Sequence, residues 1–224
     1  MIEKYYNGVI EQVAGGIGNV EHNSILVRYS NDFSIWDLES VNHYKDQTDI
    51  FFTCHEFSYN KIAEAYEPYL GLIRQMFHKY CSGTLEEFME ECDVYKLQRP
   101  VFESYFEKGF CERTEQILID EVEYEQERMR NSIVTMLQKL SEIRPVVIVL
   151  NRFQLASKST MQLSNSLLQV KNKNIGIVLG VNDVQSIPEF AHEEWDAICE
   201  SMDDRNMVYH IGNAGRNMEP DVMD

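Results

Sequence analysis

Two stretches of this chain, VVIVLN (146–151) and IGIVLGV (175–181), are almost unbroken runs of β-branched and aliphatic residues. A strand with one wetted face alternates apolar and polar side chains. A strand without alternation must be covered on both faces, the condition of parallel strands inside a helix-flanked sheet. Three further β-type runs are more mixed: ILVRY (25–29), TDIFFTC (48–54) and MVYHI (207–211). Helical patterns separate the last three runs. Residues 157–170 carry Leu163, Leu167 and Val170 on one stripe, and a capping-box pair, Ser186 with Glu189, precedes Phe190, Trp195, Ile198 and Met202. Strands alternating with helices predict an α/β fold with a five-stranded parallel sheet flanked by helices and joined by right-handed crossovers.

Between the second and third runs the alternation stops. Ile62, Tyr66, Tyr69, Leu70, Ile73 and Phe77 recur at helical steps, Thr84 with Glu87 opens a second helix over LEEFMEECDVYKL, and Leu118, Val122, Met129, Ile133, Leu137 and Leu140 stripe a long third one. These predict a helical insertion over about residues 57–143 within a single domain spanning 1–224. The final residues, NAGRNMEPDVMD, read as a frayed end beyond the last strand, as if the chain were the N-terminal part of a longer protein.

The formal net charge is −17, which sets the chain against phosphate backbones and anionic lipid, so neither nucleic acid nor membrane is expected as a partner. No apolar run approaches the ~20 residues of a bilayer span. The five cysteines form no CxxC pair and read as reduced thiols of a cytoplasmic protein. The His and Cys residues lack the spacing of a zinc site, and no GxSxG elbow offers a serine nucleophile. Glycines 15, 16 and 18 suggest a dinucleotide loop, but no strand precedes them and Glu21 stands at the third glycine position. A plain turn before the first strand is the expectation there. The acidic run Glu86, Glu87, Glu90, Glu91 and Asp93 reads as a solvated helix face.

The most informative piece is RPVVIVLNRFQLASKSTMQLSNSLLQV: an apolar strand with a polar tip, a short loop, then a helix start rich in small residues. It resembles the second nucleotide motif of the STAND class of AAA-like P-loop ATPases, with Ala156, Thr160, Leu163 and Leu167 in the family's pattern. TMLQKLSEIRPVVIVL, EAYEPYLGLIRQMF and IGIVLGVND, with Asn182 at its tip, resemble further segments of that family in the same order. The resemblance covers about residues 25–211 and implies a P-loop NTPase-like sheet. It is taken to place the first strand inside that sheet, between the third and fourth; an edge position would end the resemblance.

Where such a protein grips ATP, this chain departs from the pattern. The glycines of GxxxxGK[ST] let backbone N–H groups cradle phosphates, the Lys neutralises their charge and the hydroxyl binds Mg²⁺. In ILVRYSNDFSIWDLESV the aligned register puts Tyr29 and Ser34 at the glycines, Ile35 at the Lys and Trp36 at the hydroxyl. Asn151 replaces the carboxylate that would hold the metal, Arg152 follows it, and Asp32 adds a negative charge to the loop. The vestigial nucleotide site is therefore Tyr29, Ser34, Ile35, Trp36, Asn151, Arg152 and Asn182. Ile35, Trp36 and Leu38 are expected to begin a buried helix, capped near Asn31 or Asp32, that plugs the space.

The resemblance, with these losses, implies a non-catalytic pseudo-ATPase that regulates or scaffolds inside a larger intracellular signalling protein. It would hold no cofactor and bind a protein partner or adjacent domains. One alternative is a divergent ATP/Mg binder using Arg28, Arg152 or Arg216 in place of the Lys. Another is an unrelated α/β protein-interaction domain.

Overall fold

The computed structural model describes residues 2–18, 23–30, 33–45, 49–61, 63–109, 122–170, 172–184, 186–203 and 208–211. The sheet is built from β1 (Ser24–Tyr29), β2 (Phe51–Glu56), β3 (Val146–Asn151), β4 (Ile175–Asn182) and the short β5 (Val208–Ile211). All pairings are parallel, in the spatial order β2-β3-β4-β1-β5. Every residue of β3 and β4 is buried, which is why these two runs carry no polar alternation. β1 is interior to the sheet, but its neighbours are β4 and β5; the expected place between β3 and β4 is wrong, because β3 and β4 pair directly.

The two faces are covered by different parts of the chain. On one side α1 (Ile2–Gly15) and α2 (Glu39–Lys45) pack with Ile25, Val27, Val147, Val149 and Val178. The alternate strand residues Leu26, Ile148, Leu150, Ile177 and Leu179 face α3 (Tyr69–Tyr80), α4 (Leu85–Glu91), α5 (Arg99–Lys108), α6 (Val122–Ile143), α7 (Lys158–Gln169) and α8 (His192–Asp203). The connection from β1 thus crosses one face, and those from β2, β3 and β4 cross the other.

Local sequence explains the helix ends. The Thr84 hydroxyl accepts from the Glu87 amide and the Glu87 carboxylate accepts from the Thr84 amide, so the anticipated capping box forms, although α4 stops after seven residues. α3 starts at Tyr69 and not near Ile62: Pro68 disfavours helix in the residue before it, and Tyr66 sits at φ 62°. Ile62 itself lies outside the described residues. α6 covers 22 described residues, about 33 Å, and Leu118, at the start of its expected stripe, lies outside the described residues. Ser157 caps α7 by accepting from the Thr160 amide. The Ser186–Glu189 box does not form; Pro188 leads into a 3-10 turn, α8 begins at His192, and Phe190 is exposed. The glycines after α1 make a turn with Gly18 at φ 98°, as expected.

α1 lies close on the sheet because β4 offers glycines beneath it. A Cβ at Gly176 would stand 2.7 Å from Val13 Cγ1 and 3.3 Å from the Asn23 carbonyl. Gly176→Ala is expected to lower stability by about 1–3 kcal/mol. Adding Val13→Ala should give a double variant that loses less than the two single losses combined. Urea unfolding of the four proteins checks this; strict additivity would mean that helix and strand do not clash there.

Candidate functional site: the carboxyl end of the sheet

β1 and β4 are neighbours whose outgoing connections leave on opposite faces. In open α/β sheets such a switch point opens a crevice beyond the carboxyl ends of the strands, where ligands bind. Here the crevice is filled. Tyr29, the last residue of β1, is buried and donates its hydroxyl hydrogen to Asn151 Oδ1 at 2.7 Å, reaching across β4 to the tip of β3. Tyr6 descends from α1 with its hydroxyl against Gly180, where a Cβ would also stand 2.6 Å from Asn151 Oδ1. Phe33 completes an edge-on aromatic cluster, its ring centre 5.1 Å from Tyr6 and 4.9 Å from Tyr29.

The loop after β1 closes over this cluster. Ser34 caps a 3-10 turn, Ile35–Asp37, by accepting from the Trp36 amide at 3.3 Å. With three residues per turn, Ile35 and Leu38 share one side and both are fully buried. Trp36 falls on the other side, 48% exposed, with Lys45 Nζ 4.5 Å from its ring centre. The plug therefore consists of Ile35 and Leu38 with Tyr6, Tyr29 and Phe33. Trp36 is not part of it, because successive residues of so tight a turn cannot all point inward. The cap falls at Ser34, and Asn31 and Asp32 lie outside the described residues.

Glu56, at the tip of β2, ties the loop down. Its Oε2 accepts from the Ile35 amide at 3.2 Å and from the Ser34 hydroxyl at 3.5 Å, while Oε1 lies 3.5 Å from Arg152 Nε. Arg152 adopts the left-handed conformation, φ 53°, directly after β3. Such strain in a non-glycine residue costs on the order of 1 kcal/mol and tends to gather at sites of function. Asn182, at the tip of β4, serves its own turn: its amide donates to Gln154 Oε1 at 3.3 Å and its Oδ1 accepts from the Val184 amide at 3.0 Å. The structure thus gathers Tyr29, Ser34, Ile35, Asn151 and Arg152 around one crevice, keeps Asn182 at its rim and turns Trp36 away. Arg28, beside them in β1, pairs with Asp183 at 2.9 Å.

Burial dominates the electrostatics. It holds the Tyr6 hydroxyl well above its ordinary pKa, reinforced by Tyr29, Glu56 and Cys54. It likewise pushes the Cys54 thiol up to about 11 against the pull of Lys45, so this cysteine is a poor nucleophile at neutral pH. The Tyr6 hydroxyl and Asn151 Nδ2 are buried without a hydrogen-bond partner. Among the described residues no group of three His, Cys, Asp or Glu side chains could hold a metal ion, and no helix is long and apolar enough to cross a membrane.

Glu56 and Tyr6 were missed by sequence reasoning. A charged residue ending the second strand is a detectable signal for the first. Nothing in the sequence marks Tyr6, whose role depends on where α1 lies. No protein-family model matches this chain, and no curated protein does.

The two tyrosines are expected to respond oppositely to loss of their hydroxyls. Tyr29→Phe strands the buried Asn151 oxygen and should cost about 1–3 kcal/mol. Tyr6→Phe removes a hydroxyl that has no partner and should leave stability unchanged or raised. Chemical denaturation midpoints decide; the reverse order would contradict the assigned bond.

Proposed function

We propose that this chain is a degenerate STAND/AAA-like P-loop ATPase domain, a pseudo-ATPase that regulates or scaffolds within a larger signalling protein. Its five-stranded sheet would be the P-loop NTPase-like one, kept as architecture. The all-parallel, helix-flanked arrangement with an interior β1 is compatible with that fold. The observation that carries the reading is the closed switch point: side chains of β1, β3, α1 and the β1 loop occupy the crevice where a nucleotide would sit.

The charges oppose a triphosphate as well. Glu56 brings a carboxylate to the loop amide that a phosphate would use, and like charges ~4 Å apart in partly shielded surroundings cost about 4 kcal/mol. Of the arginines that would replace the absent Lys in a divergent binder, Arg152 is engaged with Glu56 and Arg28 with Asp183, and Arg216 lies outside the described residues. Asn151 gives its oxygen to Tyr29 and offers a metal no negative charge. With catalysis gone, what remains is binding of a cytoplasmic protein partner or a neighbouring domain.

Titration with ATP and Mg²⁺, followed by calorimetry and thermal melting, tests this directly. No heat of binding and an unchanged melting temperature are expected; stabilisation by several degrees would establish the divergent nucleotide binder instead. Ile35→Lys should give no measurable ATP turnover, since Asn151 still fails the metal. It should also cost about 2 kcal/mol or more of stability by placing an ammonium in a buried slot. Turnover by that single variant would overturn the reading.

A further inference from the structure

The free edge of the sheet carries a second feature, away from the closed crevice. Among the described residues β2 pairs only with β3. The Phe51 amide donates to the Pro145 carbonyl and the Phe57 amide to the Asn151 carbonyl, so odd-numbered residues face β3. Phe52 and Cys54 therefore direct their backbone N–H and C=O groups outward, and among the described residues nothing pairs with them. Beside the first half of this edge lies a cavity of about 600 Å³ that reaches Lys45 at the end of α2 and Arg74, His78 and Lys79 on α3. α2 and α3 cover opposite faces of the sheet, so the cavity wraps the edge from both sides.

Its charge runs against the rest of the molecule. In a chain of net charge −17, none of the described residues that line this cavity is an Asp or Glu. Of the carboxylates in neighbouring segments, Glu67, behind Gly71, takes the Tyr105 hydroxyl, and Asp49 stands 4.0 Å from Arg144. Lys79 Nζ lies 5.7 Å from the centre of the Phe51 ring and 5.3 Å from that of Tyr80, which holds the cation at the cavity wall.

We propose that the β2 edge receives an extended acidic segment of another protein, which adds as a further strand, its backbone on Phe52 and Cys54 and its carboxylates toward Lys45, Arg74 and Lys79. Strand addition takes affinity from main-chain hydrogen bonds and specificity from flanking side chains. Cations beside an open edge discourage indiscriminate pairing and admit an acidic strand. The unpaired backbone groups favour a peptide over a small anion, which would leave them unused. A second copy of this chain is disfavoured by the repulsion of two highly acidic bodies. For a short acidic segment that long-range repulsion is screened beyond about 8 Å at physiological salt, so the local cations decide.

The probe is a fluorescein-labelled peptide of five Glu-Val repeats, measured by anisotropy against the full chain. It should bind saturably and more weakly as salt rises, and it should protect the Phe52 and Cys54 amides from hydrogen exchange. Lys45→Glu with Lys79→Glu should weaken binding at least about tenfold. Should that pair disturb folding, Lys45→Gln with Lys79→Gln is expected to weaken it in the same direction. A Lys-Val peptide, or a Glu-Val peptide with two central prolines, should not bind. The proposal is overturned if the Glu-Val peptide fails to bind, if the proline peptide or the Lys-Val peptide binds as tightly, or if the lysine substitutions have no effect.

Discussion

One hydrogen bond, from the Tyr29 hydroxyl to Asn151 Oδ1 at 2.7 Å, joins the tips of β1 and β3 across the strand between them. It is possible only because Gly180 leaves room: any Cβ there would collide with both the Asn151 oxygen and the Tyr6 hydroxyl. A crevice that the topology would hold open for a ligand is instead spanned from within. Around this bond the plug assembles in layers, with the Phe33 ring against Tyr29, Ile35 and Leu38 above, and Glu56 fastening the loop amide from the neighbouring strand tip. Each layer needs the one beneath it.

The polar groups sealed in that interior are incompletely satisfied. The Tyr6 hydroxyl and Asn151 Nδ2 lack partners although both are buried, and a buried polar group without a hydrogen bond costs about 1–3 kcal/mol. Arg152 adds left-handed backbone strain at the same tip. Three departures from local ideality thus gather at one end of one sheet, the kind of place where function tends to sit.

Much of the architecture was legible before any coordinates. The runs at 146–151 and 175–181 announced strands buried on both faces, and each corresponds to β3 and β4 within a residue. Thr84 with Glu87 announced a helix start because a capping box is a local, two-residue interaction. What failed was non-local or depended on a single neighbour. Pro68 displaced a helix start that apolar periodicity placed too early, and Pro188 one that the Ser186–Glu189 pair placed too early. The neighbours of β1 depend on which connections cross which face, which strand patterns do not encode. Trp36 was assigned inward because it follows Ile35, but a three-residue turn rotates it to solvent. Tyr6 is invisible from sequence because its role depends on where α1 lies on the sheet, against Gly180 of β4 and the rings of Tyr29 and Phe33.

Among the described residues the two ends of β2 have opposite characters: Glu56 fastens one to the loop after β1, while Phe51 and Phe52 border a basic cavity. Everything turns on whether the crevice is closed in solution as well. The most direct measurement is a crystal structure of the protein grown with saturating Mg²⁺ and a non-hydrolysable ATP analogue. The account predicts no nucleotide between β1 and β4 and an intact Tyr29–Asn151 bond; ordered phosphates there, with Phe33–Leu38 displaced, would contradict it.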